Sequence, residues 1–307
     1  MRLLKTVTDL DALSDKMKFL HHIVVFATLA VTAGQTCEWI GDSTYGYEQC
    51  SASGGHRVAI VAESEAAYER DLKTLQARLQ AECSPGSPTE KECKEEKETG
   101  MALHKFDLSK SNRLPLSRAV PDRRPAVCGD IAYPEAKSTV SVVLVFYNEG
   151  TTTLLRTAQS VLDRTPSSML EEVLLVDDGN PLDDARVIQQ LADIRSYIAD
   201  HPKVRMIRLD QHEGLIVAKN KGGQAATGDI VTFMDSHCEV GYGWIEPLVA
   251  AIEEDPKTVA VPLIDAVGWE NFDYSVGELM RGIMSWSLYF TWQQLTPEQL
   301  VSAYKRS

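Results

Sequence analysis

Beyond Ser138 the chain alternates short apolar runs with stretches of helical period. The runs are 140–146, 173–176, 204–209, 230–234 and 259–262, and the stretches between them are 152–162, 182–200, 215–226 and 242–254. Apolar strands joined by helical crossovers predict a mostly parallel sheet covered by helices on both faces, an α/β fold. In such a sheet 230–234 is a buried strand. Ligands of open α/β sheets bind at the carboxyl ends of the strands, so the residues that follow each run carry the functional information.

Upstream the texture differs. Residues 34–55 are small and polar with no sustained period and read as a loose segment. In 58–80, Tyr68, Leu72, Leu75 and Leu79 recur at helical spacing between charges, which predicts one amphipathic helix that packs on the main domain or pairs with another copy. Residues 84–100, with Pro85, Pro88 and alternating Lys and Glu, read as a flexible or weakly helical linker.

Lys16 and Lys18 precede 19–33, a stretch without formal charge, and no acidic residue follows until Glu38. That pattern addresses the chain to a membrane, with the amino terminus in the cytosol and the remainder in a lumen. The stretch is shorter than the usual span of about 20 residues, so a signal anchor and a cleavable signal peptide with its cut at 31–33 both stay open, beside a buried core helix.

The 307 residues suffice for one large domain or two small ones. A formal charge of -13 supplies no basic footprint for a phosphate backbone and argues against nucleic-acid binding. An anionic substrate then needs a metal or local Lys and Arg. Six cysteines, Cys37, Cys50, Cys83, Cys93, Cys128 and Cys238, suit an oxidising lumen, and no Cys-x-x-Cys spacing points to structural zinc.

Three strand ends carry polar residues: Tyr147-Asn148-Glu149, Asp177-Asp178 and Asp235-Ser236-His237. In an extended tail, residues two apart project to one side, so Asp235 and His237 can meet one cation. A hard oxygen with an imidazole suits manganese; the plainer reading is a turn-capping Asp and a His bonded to backbone. Asp177-Asp178 either recognises a ribose or base edge or starts the turn 178–181. Together on one edge these groups favour a nucleotide-sugar site, where a divalent cation offsets diphosphate charge. Lys219 and Lys221 are candidate phosphate partners. No G-x-G-x-x-G follows the first run, which disfavours a dinucleotide fold, and the doubled Gly222-Gly223 carries no reading of its own.

From about 106 to 299 the chain resembles the polypeptide N-acetylgalactosaminyltransferases, which start mucin-type O-glycosylation. The resemblance rests on Arg113-Leu114-Pro115-Leu116-Ser117-Arg118, Val143-Leu144-Val145-Phe146-Tyr147-Asn148-Glu149 and Leu154-Leu155-Arg156-Thr157. It continues through Glu172 to Asp178, Glu213-Gly214-Leu215, Asp235-Ser236-His237-Cys238-Glu239, Trp244-x-Glu246-Pro247-Leu248 and the tryptophan-rich 286–292.

The resemblance implies a GT-A fold and retaining, Mn2+-dependent transfer of N-acetylgalactosamine from UDP-GalNAc to Ser or Thr of a polypeptide. By position it implies donor contacts at Val145, Tyr147, Asp177, His212, Asp235 and Ser236, metal ligation by Asp235 and His237, and no identifiable general base. Tyr147 stands where the family usually has His and His212 where it has Arg. An imidazole cannot supply the permanent forked charge of a guanidinium.

The implied organisation is a cytosolic tail 1–18, an anchor or signal peptide 19–33, a stem 34–105 and a GT-A domain 106–307. The implied location is the Golgi membrane as a single-pass type II protein, or secretion after cleavage. The family's Trp-Gly-Gly-Glu-Asn segment, third metal ligand and lectin domain have no counterpart here. Two readings therefore compete with a donor-side portion of the transferase: a catalytically inert paralogue kept as a nucleotide-sugar-binding or interaction module, and a generic inverting family-2 glycosyltransferase.

Overall fold

The computed structural model describes residues 77 and 80–299, except 123, 125–130, 263, 278–279, 288 and 297–298, together with three short strands between 37 and 57. The anchor or signal stretch, Cys128 and nearly all of the amphipathic stretch 58–80 lie outside the described residues. No helix among the described residues is long and apolar enough to cross a membrane.

Four parallel strands form the centre: β5 (Val140–Phe146), β6 (Leu170–Asp177), β7 (Val204–Arg208) and β8 (Ile230–Asp235), in the order β7-β6-β5-β8. Every residue of β5 is buried. Its alternate side chains serve two cores. Val140, Val142, Leu144 and Phe146 pack with Leu154, Ala158 and Val161 of α3 (Thr151–Arg164), Ile194 of α4 (Ala185–Asp200) and Leu248 and Val249 of α6 (Glu246–Glu254). Val143 and Val145 turn the other way, to Leu209 and to Ala218 of α5 (Leu215–Ala225). Each fully buried Val or Leu contributes about 1.5–3 kcal/mol, so these two layers are the main source of stability.

The doubled glycine explains how α5 comes so close to the sheet. A Cβ at Gly222 would stand 2.5 Å from Val143 Cγ1 and 2.9 Å from Val176 Cγ2, both inside van der Waals contact. Glycine there lets the helix settle on the strands that lead to the site.

Expectations for two apolar runs need correction. β8 is not buried throughout: it pairs only with β5 among the described strands, and Phe233 is exposed while Met234 is buried. An edge strand keeps one flank of its side chains accessible, which an apolar run does not reveal. The run 259–262 joins no strand, and Val259 and Val261 are exposed; an extended run becomes a strand only with a neighbour to pair with. The acidic linker, read as flexible or weakly helical, takes the helical form as α1 (Glu90–Leu103), tied down by the Cys83–Cys93 disulfide and by Arg113 of α2 (Leu108–Arg113), which forms ion pairs with Glu82, Glu92 and Glu96.

The segment expected to be loose carries β1 (Cys37–Gly41), β2 (Gly46–Cys50) and β3 (Gly55–Arg57), which continue antiparallel into β4 (Ala132–Tyr133). Pairing with a distant strand supplies an order that local periodicity cannot show. Two antiparallel ribbons end the described chain, β9 (Ala266–Val267) with β10 (Tyr274–Ser275), and β11 (Met280–Met284) with β12 (Phe290–Gln294).

Candidate functional site at the carboxyl edge of the sheet

Strand register assembles the site. Val145 lies between Val176 and Asp235 on the neighbouring strands, Phe146 opposite Asp177, and Asp177 opposite Arg208. Tyr147, Asp177 and Asp235 therefore reach one edge from three adjacent strands.

Asp235 ends β8, and its Oδ1 lies 3.3 Å from the Lys219 ammonium on α5. Ser236 is buried, its carbonyl accepting from Thr157 Oγ1 of α3 at 3.0 Å and its hydroxyl donating to Glu149 Oε2 at 3.0 Å. The same Glu149 oxygen sits 2.8 Å from His237 Nδ1. Burial alone would lower the His237 pKa, but the hydrogen bond and charge of Glu149, with the charge of Asp235, raise it above the ordinary imidazole value. Burial would likewise raise Glu149, yet His237 and the Gly150 N–H hold its carboxyl below the usual range. Each group stabilises the charged form of the other.

That arrangement suits a divalent cation. Imidazoles that ligate metals commonly give their second ring N–H to a carboxylate, and here Nδ1 faces Glu149, so a cation would meet His237 through Nε2. Asp235 adds a hard oxygen. Among the described residues no three His, Cys, Asp or Glu side chains gather round one point.

The paired aspartates serve the backbone. Asp177 is fully buried; its Oδ1 accepts from Asn180 N at 2.9 Å and Asn180 Nδ2 at 2.7 Å, and its Oδ2 pairs with Arg208. Gly179, at φ +69°, completes the turn in a conformation that favours glycine. Asp178 accepts from Glu213 N at 2.9 Å and Gly214 N at 3.0 Å, fixing the loop that opens α5. The turn weighed for this pair is present, anchored by both carboxylates. A nucleoside reaching the Asp177 carboxylate would share it with Arg208 and Asn180.

The loop held by Asp178 carries His212, whose Nδ1 lies 2.8 Å from Asp178 Oδ2. Its ring stacks on Tyr147, with centroids 3.8 Å apart and planes 19° from parallel. Tyr147 remains 45% exposed, so the pair shows solvent a flat aromatic surface. Val145, two residues earlier on the same strand face, is buried in the α5 core beneath this edge. Lys221 pairs with Glu213 of the loop that Asp178 fixes, at 2.6 Å.

Three contributors escaped sequence reasoning. Arg208 carried no signal, and Asn180 was visible only as part of the turn 178–181, although together they hold Asp177. Glu149 was visible only as one of several polar residues after β5, and nothing in the sequence joined it to His237.

Behind the edge, a buried network fixes the residues after His237. Arg118 grips Glu239 with Nε to Oε2 at 2.9 Å and Nη2 to Oε1 at 2.9 Å, and Tyr274 donates to Glu239 Oε2 at 2.7 Å. Burial would raise the Glu239 carboxyl, but Arg118 keeps it low. Arg156 of α3 reaches the carbonyls of Ser111 at 2.6 Å and Pro115 at 3.1 Å, binding the segment around α2 to the helix that also holds Ser236.

A family profile, Glycosyl transferase family 2, matches residues 141–303. Polypeptide N-acetylgalactosaminyltransferase 11 of Xenopus tropicalis is 39% identical over 230 residues, covering 74% of this chain and 37% of that protein. Polypeptide N-acetylgalactosaminyltransferase 13 of Homo sapiens is 38% identical over 200 residues, covering 64% of this chain and 35% of the relative. The crystal structure of GalNAc-T7 with UDP, GalNAc and Mn2+ superposes with a TM-score of 0.61 at 31% identity, covering 71% of this chain and 42% of that one. The chain spans well under half the length of the curated relatives it matches.

Proposed function

We propose a function from one premise: the chain belongs to glycosyl transferase family 2 and, within it, to the polypeptide N-acetylgalactosaminyltransferases. Its parallel sheet and flanking helices have the GT-A fold. The proposed activity is retaining transfer of N-acetylgalactosamine from UDP-GalNAc to Ser and Thr hydroxyls of polypeptides, with Mn2+ as cofactor. The proposed setting is the Golgi lumen, with 19–33 as a type II membrane anchor or cleaved signal.

The observation that carries this reading is a juxtaposition on adjacent strands. The Asp235-Ser236-His237 segment, ordered by Glu149, and the exposed Tyr147–His212 stack occupy one sheet edge. Asp235 and His237 would hold the cation, which when bound offsets the diphosphate charge and eases its departure. Lys219, beside Asp235, adds a fixed positive charge for the same oxygens. The Tyr147–His212 surface offers a stacking face to the base. Ser236 sits between these groups, its backbone pinned to α3 so that the edge keeps its shape. The acceptor hydroxyl approaches from the face that the diphosphate leaves, which retains configuration.

A second reading, a donor-binding module that moves no sugar, draws support from the Tyr147–His212 aromatic stack, where the resemblance places His and Arg in the family. Competition binding in Mn2+ tests what both readings share: UDP-GalNAc and UDP should displace a labelled uridine nucleotide while GDP does not. Equal displacement by GDP would overturn the donor assignment. Sugar transfer to a Ser/Thr peptide then separates the two readings.

A further inference from the structure

The residue best placed to shape the Asp235-Ser236-His237 segment is none of its members. Glu149 follows β5 and precedes α3, so its backbone is held between two core elements. Its carbonyl accepts from Gln190 Nε2 of α4 at 2.7 Å, and its Oε1 accepts from Gly150 N, the amino-terminal cap of α3, at 2.8 Å. The positive end of that helix favours a carboxylate there. With the side chain only 10% exposed, Oε2 remains for two donors, Ser236 Oγ at 3.0 Å and His237 Nδ1 at 2.8 Å.

We propose that Glu149 is a positioning residue that fixes the tautomer and orientation of His237 and the hydroxyl direction of Ser236. A carboxylate only accepts, so Nδ1 must carry the ring proton and the neutral ring holds its lone pair on Nε2. The same acceptor turns the Ser236 hydroxyl proton toward Glu149, which directs the oxygen's lone pairs away from it. One carboxylate therefore sets two of the three side chains of the segment before any ligand arrives. Removing such a carboxylate from behind a metal-ligating histidine costs about 10–100-fold in metal affinity.

The cation part of this inference rests on the proposed function, while the tautomer part does not. The test uses the full chain with 15N-labelled histidine, metal-free and above the imidazole's titration, and reads which ring nitrogen of His237 carries the proton. The native chain should show one Nδ1–H tautomer. Glu149→Ala should yield a mixture, and the isosteric Glu149→Gln, whose amide can donate to Nδ1, should admit the Nε2–H form.

In Mn2+ titrations followed by electron paramagnetic resonance, Glu149→Ala should weaken binding about 10–100-fold. The same change in a His237→Ala background should add nothing, and Glu149→Asp should restore part of the affinity. An Nε2–H tautomer in the native chain, an unchanged tautomer in Glu149→Ala, or an equal loss of affinity in the His237→Ala background would each overturn the proposal. A native chain with the Nδ1–H tautomer that binds no Mn2+ would support the Glu149 role and reject the cation site instead.

Discussion

Tyr147 and His212 lie face to face, ring centroids 3.8 Å apart, although one follows a central strand and the other sits in a loop before α5. Asp178 makes the contact possible, since it holds His212 Nδ1 at 2.8 Å and the next two backbone N–H groups at 2.9 and 3.0 Å. The two positions that the resemblance sets apart from the family thus form a single contact.

Arginine at position 212 should keep the bond to Asp178 and add a permanent charge toward a diphosphate. His212→Arg is expected to tighten UDP binding about tenfold, ~1.4 kcal/mol, in calorimetry. Tyr147→Ala should weaken it by about 1–3 kcal/mol, the usual loss when a stacking ring is removed. Unchanged affinity in both variants would show that the stack does not face the donor.

Lys219 and a bound cation compete for Asp235, whose Oδ1 is 3.3 Å from the ammonium. Lys219→Met should therefore raise Mn2+ affinity in the absence of nucleotide by a few-fold, about 1 kcal/mol. It should also reduce the Mn2+-dependent affinity for UDP, because the ammonium no longer meets the phosphates. Opposite signs in the two titrations identify this dual role; a fall in both would point to a structural one.

The Arg118–Glu239 pair is buried on both sides, with side-chain exposures of 5% and 7%. Arg118→Ala leaves the Glu239 charge in a low-dielectric interior and should cost about 3–5 kcal/mol in urea unfolding. Removing both charges with Arg118→Met and Glu239→Leu should cost much less. Because Glu239 lies two residues after His237, the single variant should also loosen Mn2+ binding.

Burial pushes the Glu246 carboxyl from its ordinary 4.5 up to about 7, and Oε1 has no hydrogen-bond partner among the described residues. Below pH 4.5 the group is protonated in both folded and unfolded chains and costs nothing. As pH rises toward about 7 the unfolded chain ionises while the folded chain retains its proton, so stability falls across this window by about 3 kcal/mol. Glu246→Gln should match the native chain at the acid end and exceed it by that amount at the alkaline end. A stability difference independent of pH would contradict this.

The sheet was legible because β5, β6 and β7 are apolar and short, and because chemistry-bearing residues follow them directly. Asp235-Ser236-His237 was readable for the same reason, its members being adjacent in the chain. Glu149 with His237 and Tyr147 with His212 were not readable, since each pair meets only after the strands have paired and α5 has docked. The edge exposure of β8 and the tethering of helix α1 escaped for a related reason. Neighbouring strands, a disulfide and the ion pairs of Arg113 decide those features, and local pattern carries none of them.

Titration calorimetry of the 307-residue chain with UDP tests the central claim most directly, run with Mn2+, with chelator, and with Asp235→Ala. The expected result is binding that requires Mn2+, disappears with chelator and is lost in Asp235→Ala. Heat signals unchanged by chelator, or retained in Asp235→Ala, would contradict a donor site built on Asp235 and His237.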